Sequence, residues 1–258
     1  MQKHISVFGF YIRSSIYRVL LILLLMVLAV TGVFLFEFHE ELVNYYELLE
    51  QVALGNAEAA YLARPEKLFD NRLILVLFEL ANIAVTIMLV LPGCEFKSKT
   101  TYTIKRLQVG ERAWFFWQVL CSAMTYLLVY AAQIAVIIGL SQYYVNHVPA
   151  ELVGNQSIFL MFYRSELLHS LLPLSDIQIW IRNILLLLGF SFAVAGYSYQ
   201  QRRKKHPMAL YWMITSATFF FCQEIAGFSN VMLLSLVSLM VITKLLFTVL
   251  QEEEEVPA

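Results

Sequence analysis

The sequence predicts an all-α membrane protein with six spanning helices and both termini in the cytoplasm. Of its 258 residues, 60% are hydrophobic and only 14% are charged. The apolar residues fall in six long blocks that are separated by short charged stretches. A bilayer core about 30 Å thick requires about 20 mostly apolar residues in a spanning helix. The blocks lack the alternation of barrel strands, so we expect helices.

The first element is the segment of residues 1–18, which precedes the first apolar block. Ile5, Phe8 and Ile12 lie on one helical stripe, with Arg13 among the polar neighbours. This pattern predicts an amphipathic helix in the cytoplasmic interface of the membrane. The alternative is a simple continuation of the first spanning helix.

The apolar blocks then give the bounds of the spanning helices within a single transmembrane domain, residues 1–258. The third block is long enough to tilt or to begin at the membrane surface. The predicted spans are 19–36, 73–91, 114–140, 177–199, 208–228 and 230–250.

Lysine and arginine set the orientation of these spans. One side of the predicted topology carries twelve of these cations, and the other side carries four, Arg64, Lys67, Arg72 and Arg164. Cytoplasmic loops carry the excess of positive charge, so the twelve-cation side is the cytoplasmic one. We therefore expect a multi-pass protein of a bacterial inner (plasma) membrane in contact with lipid.

Two external stretches separate the spans on the other side. Within residues 37–70, the segment 39–55 has the apolar spacing of an amphipathic helix that ends at a glycine. Residues 141–175 contain short apolar runs that are too short to span. These runs rest on the outer membrane face, cap a cavity or pack over the ends of the helices.

Several chemistries have no support in the sequence. The net charge of −1 gives no reason to expect a nucleic-acid partner. The GxxxxGK[ST], HExxH and GxSxG motifs do not occur in the sequence, and the five histidines are scattered. We therefore predict no catalytic residue and no metal site. An intramembrane enzyme is the weakest interpretation.

Ionisable and amide groups inside the spans are the candidates for a substrate pathway. A charge at the membrane centre costs about 2.5–3.5 kcal/mol on insertion scales, so such groups face a cavity or a partner. The candidates are Glu79, Asn82, Arg182 and Glu224. Lys244 is expected to reach the inner headgroups. The pathway hypothesis is that they receive a cationic part of the substrate or change partners between states. The alternatives are a fixed salt bridge and side chains that reach the outer headgroups.

The cytoplasmic loop between the second and third spans contains a predicted short helix. A polar start at Ser98 or Thr100 and the glycine Gly110 enclose about three turns with a basic surface. Such a helix is suited to dock into another protein, whereas an ordinary basic loop is the alternative. The segment 95–112 resembles the corresponding loop in permeases of ABC exporters related to the G subfamily. The residues that match the family pattern are Lys99, Thr101, Lys105, Arg106, Leu107, Val109, Gly110 and Arg112.

The resemblance implies a permease subunit that is driven by separate ABC ATPase subunits through this coupling helix. ATP and magnesium would then bind to the ATPase, and this chain would hold no cofactor. A second permease copy or a paralogue would complete a dimer. Amphipathic or toxin-like peptides are the expected substrates, with drugs or lipids as alternatives. A non-transporting scaffold or regulatory subunit is the rival, and residues 227–230 leave no room for the family's frequent re-entrant hairpin.

Overall fold

The computed structural model describes residues 2–54, 62, 65–94, 110–149, 156–174, 176–221 and 227–251, all of whose regular elements are helices. A short 3-10 turn, Leu91–Gly93, follows the third helix. The helices are α1 (Gln2–Ala53), α2 (Pro65–Phe69), α3 (Arg72–Val90), α4 (Glu111–His147), α5 (Ser157–Arg164), α6 (Glu166–Leu171), α7 (Ile177–Arg202), α8 (Met208–Phe221) and α9 (Phe228–Gln251).

Five of these helices, α1, α3, α4, α7 and α9, are long and apolar enough to cross a membrane. The predicted fifth span, 208–228, corresponds to α8 and the start of α9. At 1.5 Å per residue the 14 residues of α8 rise about 21 Å, less than the bilayer core. Residues 222–226 lie outside the described residues. The number of crossings beyond five therefore stays a prediction.

The N-terminal part of the chain differs from the expected division into separate helices. Helix α1 runs without a break through the predicted interfacial segment 1–18, the first span 19–36 and most of the predicted external helix 39–55. No proline occurs between Gln2 and Ala53, so nothing removes a backbone hydrogen bond along this stretch. The helix is thus a continuation, and an interfacial location of its first 18 residues stays a prediction.

Helix α7 is the centre of the bundle and packs against α3, α4, α8 and α9. Half of its most apolar stretch is buried inside the protein, against 28% for α1, α4 and α9. Small residues allow this close approach: Gly196 lies against Leu245, and Gly189 lies against Met213 and Ser238. Helix α1 packs on the opposite side of the bundle, against α3 and α4.

The bundle has two ends, which we name after the predicted topology. The inner end contains Gly93, Glu111, Arg202 and Gln251. The outer end contains the start of α3 at Arg72 and the short helices α5 and α6, which we call the outer cap (residues 156–174). The basic residues Arg112, Arg202 and Arg203 lie together at the inner end, where each bonds to a neighbouring helix or turn.

Candidate functional site

A cavity of about 250 Å³ lies between α3, α4 and α7, beneath the outer cap. Its walls are mostly apolar and aromatic, but polar groups from three helices and the cap reach into it. The polar and aromatic lining residues are Glu79, Asn82, Thr86, Tyr126, Tyr130, Gln133, Ser170, Trp180, Arg182, Asn183 and Phe190.

Three of the four predicted pathway residues line this cavity. Glu79 and Asn82 come from α3, and Arg182 comes from α7. The fourth, Glu224, lies outside the described residues. Lys244 is exposed on α9, away from the cavity. The structure thus places Glu79, Asn82 and Arg182 around one space, and their role in transport stays a prediction.

Arg182 connects the central helix to the outer cap. Its side chain is 1% exposed, and its Nη2 donates to the carbonyl oxygen of Ser170 at 3.1 Å and to its Oγ at 2.7 Å. Its Nε and Nη2 also donate to Oδ1 of Asn183, at 3.1 and 2.9 Å. Asn183 Nδ2 in turn donates to the Ser170 carbonyl at 3.0 Å. Nε and Nη2 of the guanidinium are therefore held by neutral acceptors among the described residues, in the cap and on its own helix.

Two further contacts fix the cap over the cavity. The hydroxyl of Tyr130 donates to the carbonyl oxygen of Leu171, which also lines the cavity. At the start of α6, the buried Ser165 accepts from the backbone N–H of Leu168 at 3.2 Å and donates to Oδ1 of Asp70 at 2.7 Å. Of the short apolar runs, α6 contributes Ser170 and Leu171 to the lining of the cavity. A position of these runs on the outer membrane face stays a prediction.

The polar groups on α3 have neutral partners. Thr218 of α8 donates to Oε1 of Glu79 at 3.2 Å. Thr86 donates to the carbonyl of Asn82, so the 2.7 Å contact between Thr86 and Tyr126 has the phenol as its donor. These bonds join α3 to α4 and α8 along the walls of the cavity.

Gln133 of α4 is a polar lining residue with an unused donor. Its side chain is 4% exposed, and its Nε2 has no hydrogen-bond partner among the described residues. An unsatisfied buried donor costs about 1–3 kcal/mol. Sequence reasoning missed Gln133, Tyr130 and Asn183, although an amide inside an apolar block is the same kind of signal that identified Asn82.

At the inner end, side chains connect the helices directly. Tyr11 donates to Oε1 of Gln118 at 2.9 Å, and Gln118 Nε2 donates to Oγ of Ser198 at 2.8 Å. Arg202 Nη1 donates to the carbonyl of Gly93 at 2.9 Å. These bonds link α1, α4, α7 and the turn after α3.

The turn itself is tightly packed at the inner end. A Cβ on Gly93 would lie 2.6 Å from Cβ of Ser198 and 2.9 Å from Nε2 of Gln118. Burial raises the pKa of the neighbouring Cys94 thiol to about 11, against the opposing effects of a hydrogen bond with Ser198 and the charge of Arg202.

The predicted coupling residues are described only in part. Lys99, Thr101, Lys105, Arg106, Leu107 and Val109 lie outside the described residues. Gly110 is the residue before α4, and Arg112 lies in its first turn. Arg112 Nε donates to the carbonyl of Val249 at 3.1 Å, and its Nη2 donates to that of Leu250. The exit from the predicted coupling helix is therefore attached to the end of α9.

Among the described residues, no three His, Cys, Asp or Glu side chains gather in a way that could hold a metal ion. Comparison with known proteins finds no family model, no curated protein and no solved structure that matches this chain. The resemblance of the segment 95–112 to ABC exporter permeases accordingly stays a prediction.

Proposed function

We propose that this chain is the permease subunit of an ATP-driven ABC exporter for amphipathic peptides. In this proposal six spans with both termini in the cytoplasm form half of a translocation pathway, and a second copy or a paralogue forms the other half. One observation carries the proposal. Helices α3, α4 and α7 form a half-open cavity whose lining includes Glu79, Asn82 and Arg182. Polar groups inside a membrane protein usually mark a substrate or ion pathway.

The inner end supports the proposed coupling to an ATPase. Helix α4 begins at Glu111, so the last two residues of the segment 95–112 that is expected to dock already belong to α4. In its first turn, Arg112 is bonded to the end of α9, and Glu111 is paired at 3.0 Å with Arg203, the residue that follows α7. A displacement of the docked segment would therefore act on α4, α7 and α9 together. ATP could drive such a change only through different affinities for two arrangements of the subunits.

A scaffold or regulatory subunit without a transport pathway is the second candidate. The observation in its favour is the guanidinium of Arg182, which is held by Ser170 and Asn183 in the manner of a fixed structural contact. The cavity favours transport, because a scaffold without a transport pathway is expected to have no such cavity. Drug and lipid exporters remain within the first candidate, since they differ in cargo and not in mechanism.

Purification from the native host tests the exporter proposal. The tagged chain in mild detergent is expected to bring an ATP-binding subunit with it, and the complex is expected to hydrolyse ATP. Replacement of Lys105, Arg106 and Leu107 by alanine is expected to release that subunit. Mass spectrometry identifies the partner, and the ATPase rate per permease measures its loss.

The matched control replaces two other basic residues at the inner end, Lys204 and Lys205, which are exposed. This variant is expected to retain the ATPase, because its residues lie outside the coupling segment. If the wild-type chain brings no ATPase, the exporter proposal is wrong and the scaffold becomes the candidate to test. If both variants lose the ATPase equally, the positive charge of the inner end as a whole binds the partner, and no specific coupling helix is needed.

A further inference from the structure

We propose that the cavity binds the cationic side chain of an apolar peptide, with Glu79 as the group that receives the positive charge. The proposal rests on the proposed function, because it names the chemical class of the cargo.

The carboxylate of Glu79 is the first element of this site. Its hydrogen bond comes from the neutral hydroxyl of Thr218 at 3.2 Å. A carboxylate in an apolar environment is costly unless it is paired with a positive charge. An ammonium or guanidinium group in the cavity would supply that charge. A ligand with a cation is therefore favoured over a neutral one at this position.

Arg182, the cation of the same lining, has a different set of partners. Ser170 and Asn183 accept four hydrogen bonds from its guanidinium, two on each residue. These acceptors orient its donors toward the cap and its own helix. An anionic ligand would have to compete with these acceptors for Nε and Nη2, whereas a cation at Glu79 displaces neither of them. The contrast between the two charged residues selects the sign of the ligand charge.

The unused Nε2 donor of Gln133 indicates a carbonyl group on the ligand. This nitrogen is buried, and its residue lines the same cavity as Glu79. A ligand carbonyl would satisfy the donor and recover its desolvation cost. A peptide carries a carbonyl at every residue, so one peptide unit offers the cation and the acceptor together. An alkylammonium ion without a carbonyl would satisfy Glu79 alone.

The remaining walls fit the apolar part of such a ligand. Tyr126, Trp180 and Phe190 provide aromatic faces, which also attract organic cations. The volume of about 250 Å³ is below the roughly 300–1,000 Å³ of pockets that enclose a drug-sized molecule. The cavity thus accommodates one side chain with its adjoining backbone, and the rest of a longer peptide would extend beyond it.

Calorimetric titration of the purified chain in neutral detergent tests the proposal. The probe is the tripeptide acetyl-Phe-Lys-Phe-amide, compared with the same peptide carrying norleucine or glutamate at the centre. Empty micelles correct for partition of the peptides into detergent. The lysine peptide is expected to bind about tenfold or more tightly than the norleucine peptide, as for a buried charge pair. The glutamate peptide is expected to bind most weakly.

Two variants test the residues. Glu79→Gln is expected to abolish the preference for the lysine peptide over the norleucine peptide. Gln133→Leu is expected to weaken all three peptides by a similar factor, because it removes a contact with the shared backbone. Glu50→Gln is the matched control, since Glu50 is exposed on α1 and distant from the lining of the cavity. It is expected to bind like the wild-type chain.

Equal affinity for the lysine and norleucine peptides in the wild-type chain would overturn the proposal. This measurement uses the wild-type chain alone, so it does not depend on whether a variant folds. A preference for the glutamate peptide would overturn it in favour of Arg182 as the binding charge. Binding requires no ATPase, so this outcome is separate from the test of the exporter. Selective binding without a co-purified ATPase would support the cation site and reject the exporter proposal. A co-purified ATPase without selective binding would reject the cation site alone.

Discussion

The two ends of the bundle are held together in different ways. At the inner end, buried side chains connect one long helix directly to the next, as in the series Tyr11, Gln118 and Ser198. At the outer end, α3, α4 and α7 enclose a cavity, and the short helix α6 bridges α4 and α7 through Ser170 and Leu171. At the inner end the long helices are bonded to one another, whereas at the outer end a short cap is attached to them.

This difference indicates where the protein is able to rearrange. The series Tyr11, Gln118 and Ser198 favours one arrangement of the inner helices, because a displacement would leave these donors and acceptors without partners. The inner end is not fully satisfied, since Nε and Nη2 of Arg202 are buried without a hydrogen-bond partner among the described residues. Atoms around a cavity have fewer packing partners to lose. The cap is also short, and side-chain bonds attach it to the rest of the protein at Arg164, Ser165, Ser170, Leu171 and Pro173. We therefore expect the inner end to move as a unit and the outer end to open locally.

The largest expected effect is a substitution in the tight turn of the inner end. Gly93→Ala would place a Cβ 2.6 Å from Cβ of Ser198. Overpacking of this kind typically costs about 1–3 kcal/mol. We expect a clearly lower melting temperature in detergent by fluorescence-detected size exclusion. The double variant Gly93→Ala/Ser198→Gly is expected to recover part of the loss, because it removes the contacting side chain.

Gly139→Ala is the matched control for this substitution. Gly139 lies within α4, and a Cβ at this position would have no neighbour within 4 Å beyond the backbone of its own helix. Alanine favours the helix over glycine by about 1 kcal/mol, so the melting temperature is expected to stay the same or to rise. Equal destabilisation by Gly93→Ala and Gly139→Ala would contradict the tight inner end.

The next effect concerns the cap. Ser165→Ala removes the acceptor for the N–H of Leu168 and the donor to Asp70. Loss of such a helix cap costs about 0.5–2 kcal/mol. We expect faster amide hydrogen exchange in α6, with little change in the exchange of α4 and α7. Opening of the cap is local in this view, so the bundle stays folded.

Ser14→Ala provides the control for the cap. Ser14 donates to the carbonyl of Tyr11 within its own helix, at 3.0 Å. Its removal is expected to leave the exchange of α6 unchanged. If Ser165→Ala instead accelerates exchange throughout the long helices, the cap and the bundle form one cooperative unit and the contrast between the two ends is lost.

The sequence predicted the long helices better than it predicted their connections. Apolar blocks of about 18 residues or more identify spans directly, because the bilayer sets their length. The continuity of α1 was harder to predict from the sequence. The polarity of the residues changes at Arg18, which suggested a boundary, but the helix continues through it. The cavity depends on contacts between distant segments. Asn183 bonds to the cap only because the fold brings the carbonyl of Ser170 within 3.0 Å of its side chain.

A smaller effect tests whether the N-terminal segment belongs to the inner network. Tyr11→Phe removes the hydrogen bond to Gln118 and leaves its Oε1 without that donor. The expected cost is about 0.5–1.5 kcal/mol, seen as a modest fall in melting temperature. Tyr17→Phe is the control, because Tyr17 is 78% exposed. Identical melting of both variants would mean that residues 1–18 lie apart from the bundle.

The smallest expected effect comes from an ion pair at the surface of the inner end. Arg203 contacts Glu111 at 3.0 Å and lies over the ring of Tyr199, so Arg203→Gln removes both contacts. Exposed pairs contribute about 0.2–1 kcal/mol and are screened at high salt. We expect a small fall in melting temperature at low ionic strength that largely disappears in concentrated salt. At the outer end, Lys67→Gln breaks a looser pair with Glu41 at 3.9 Å and is expected to have no measurable effect. An equal fall for both variants would show that the ends differ in their buried contacts alone, because their surface pairs would then contribute alike.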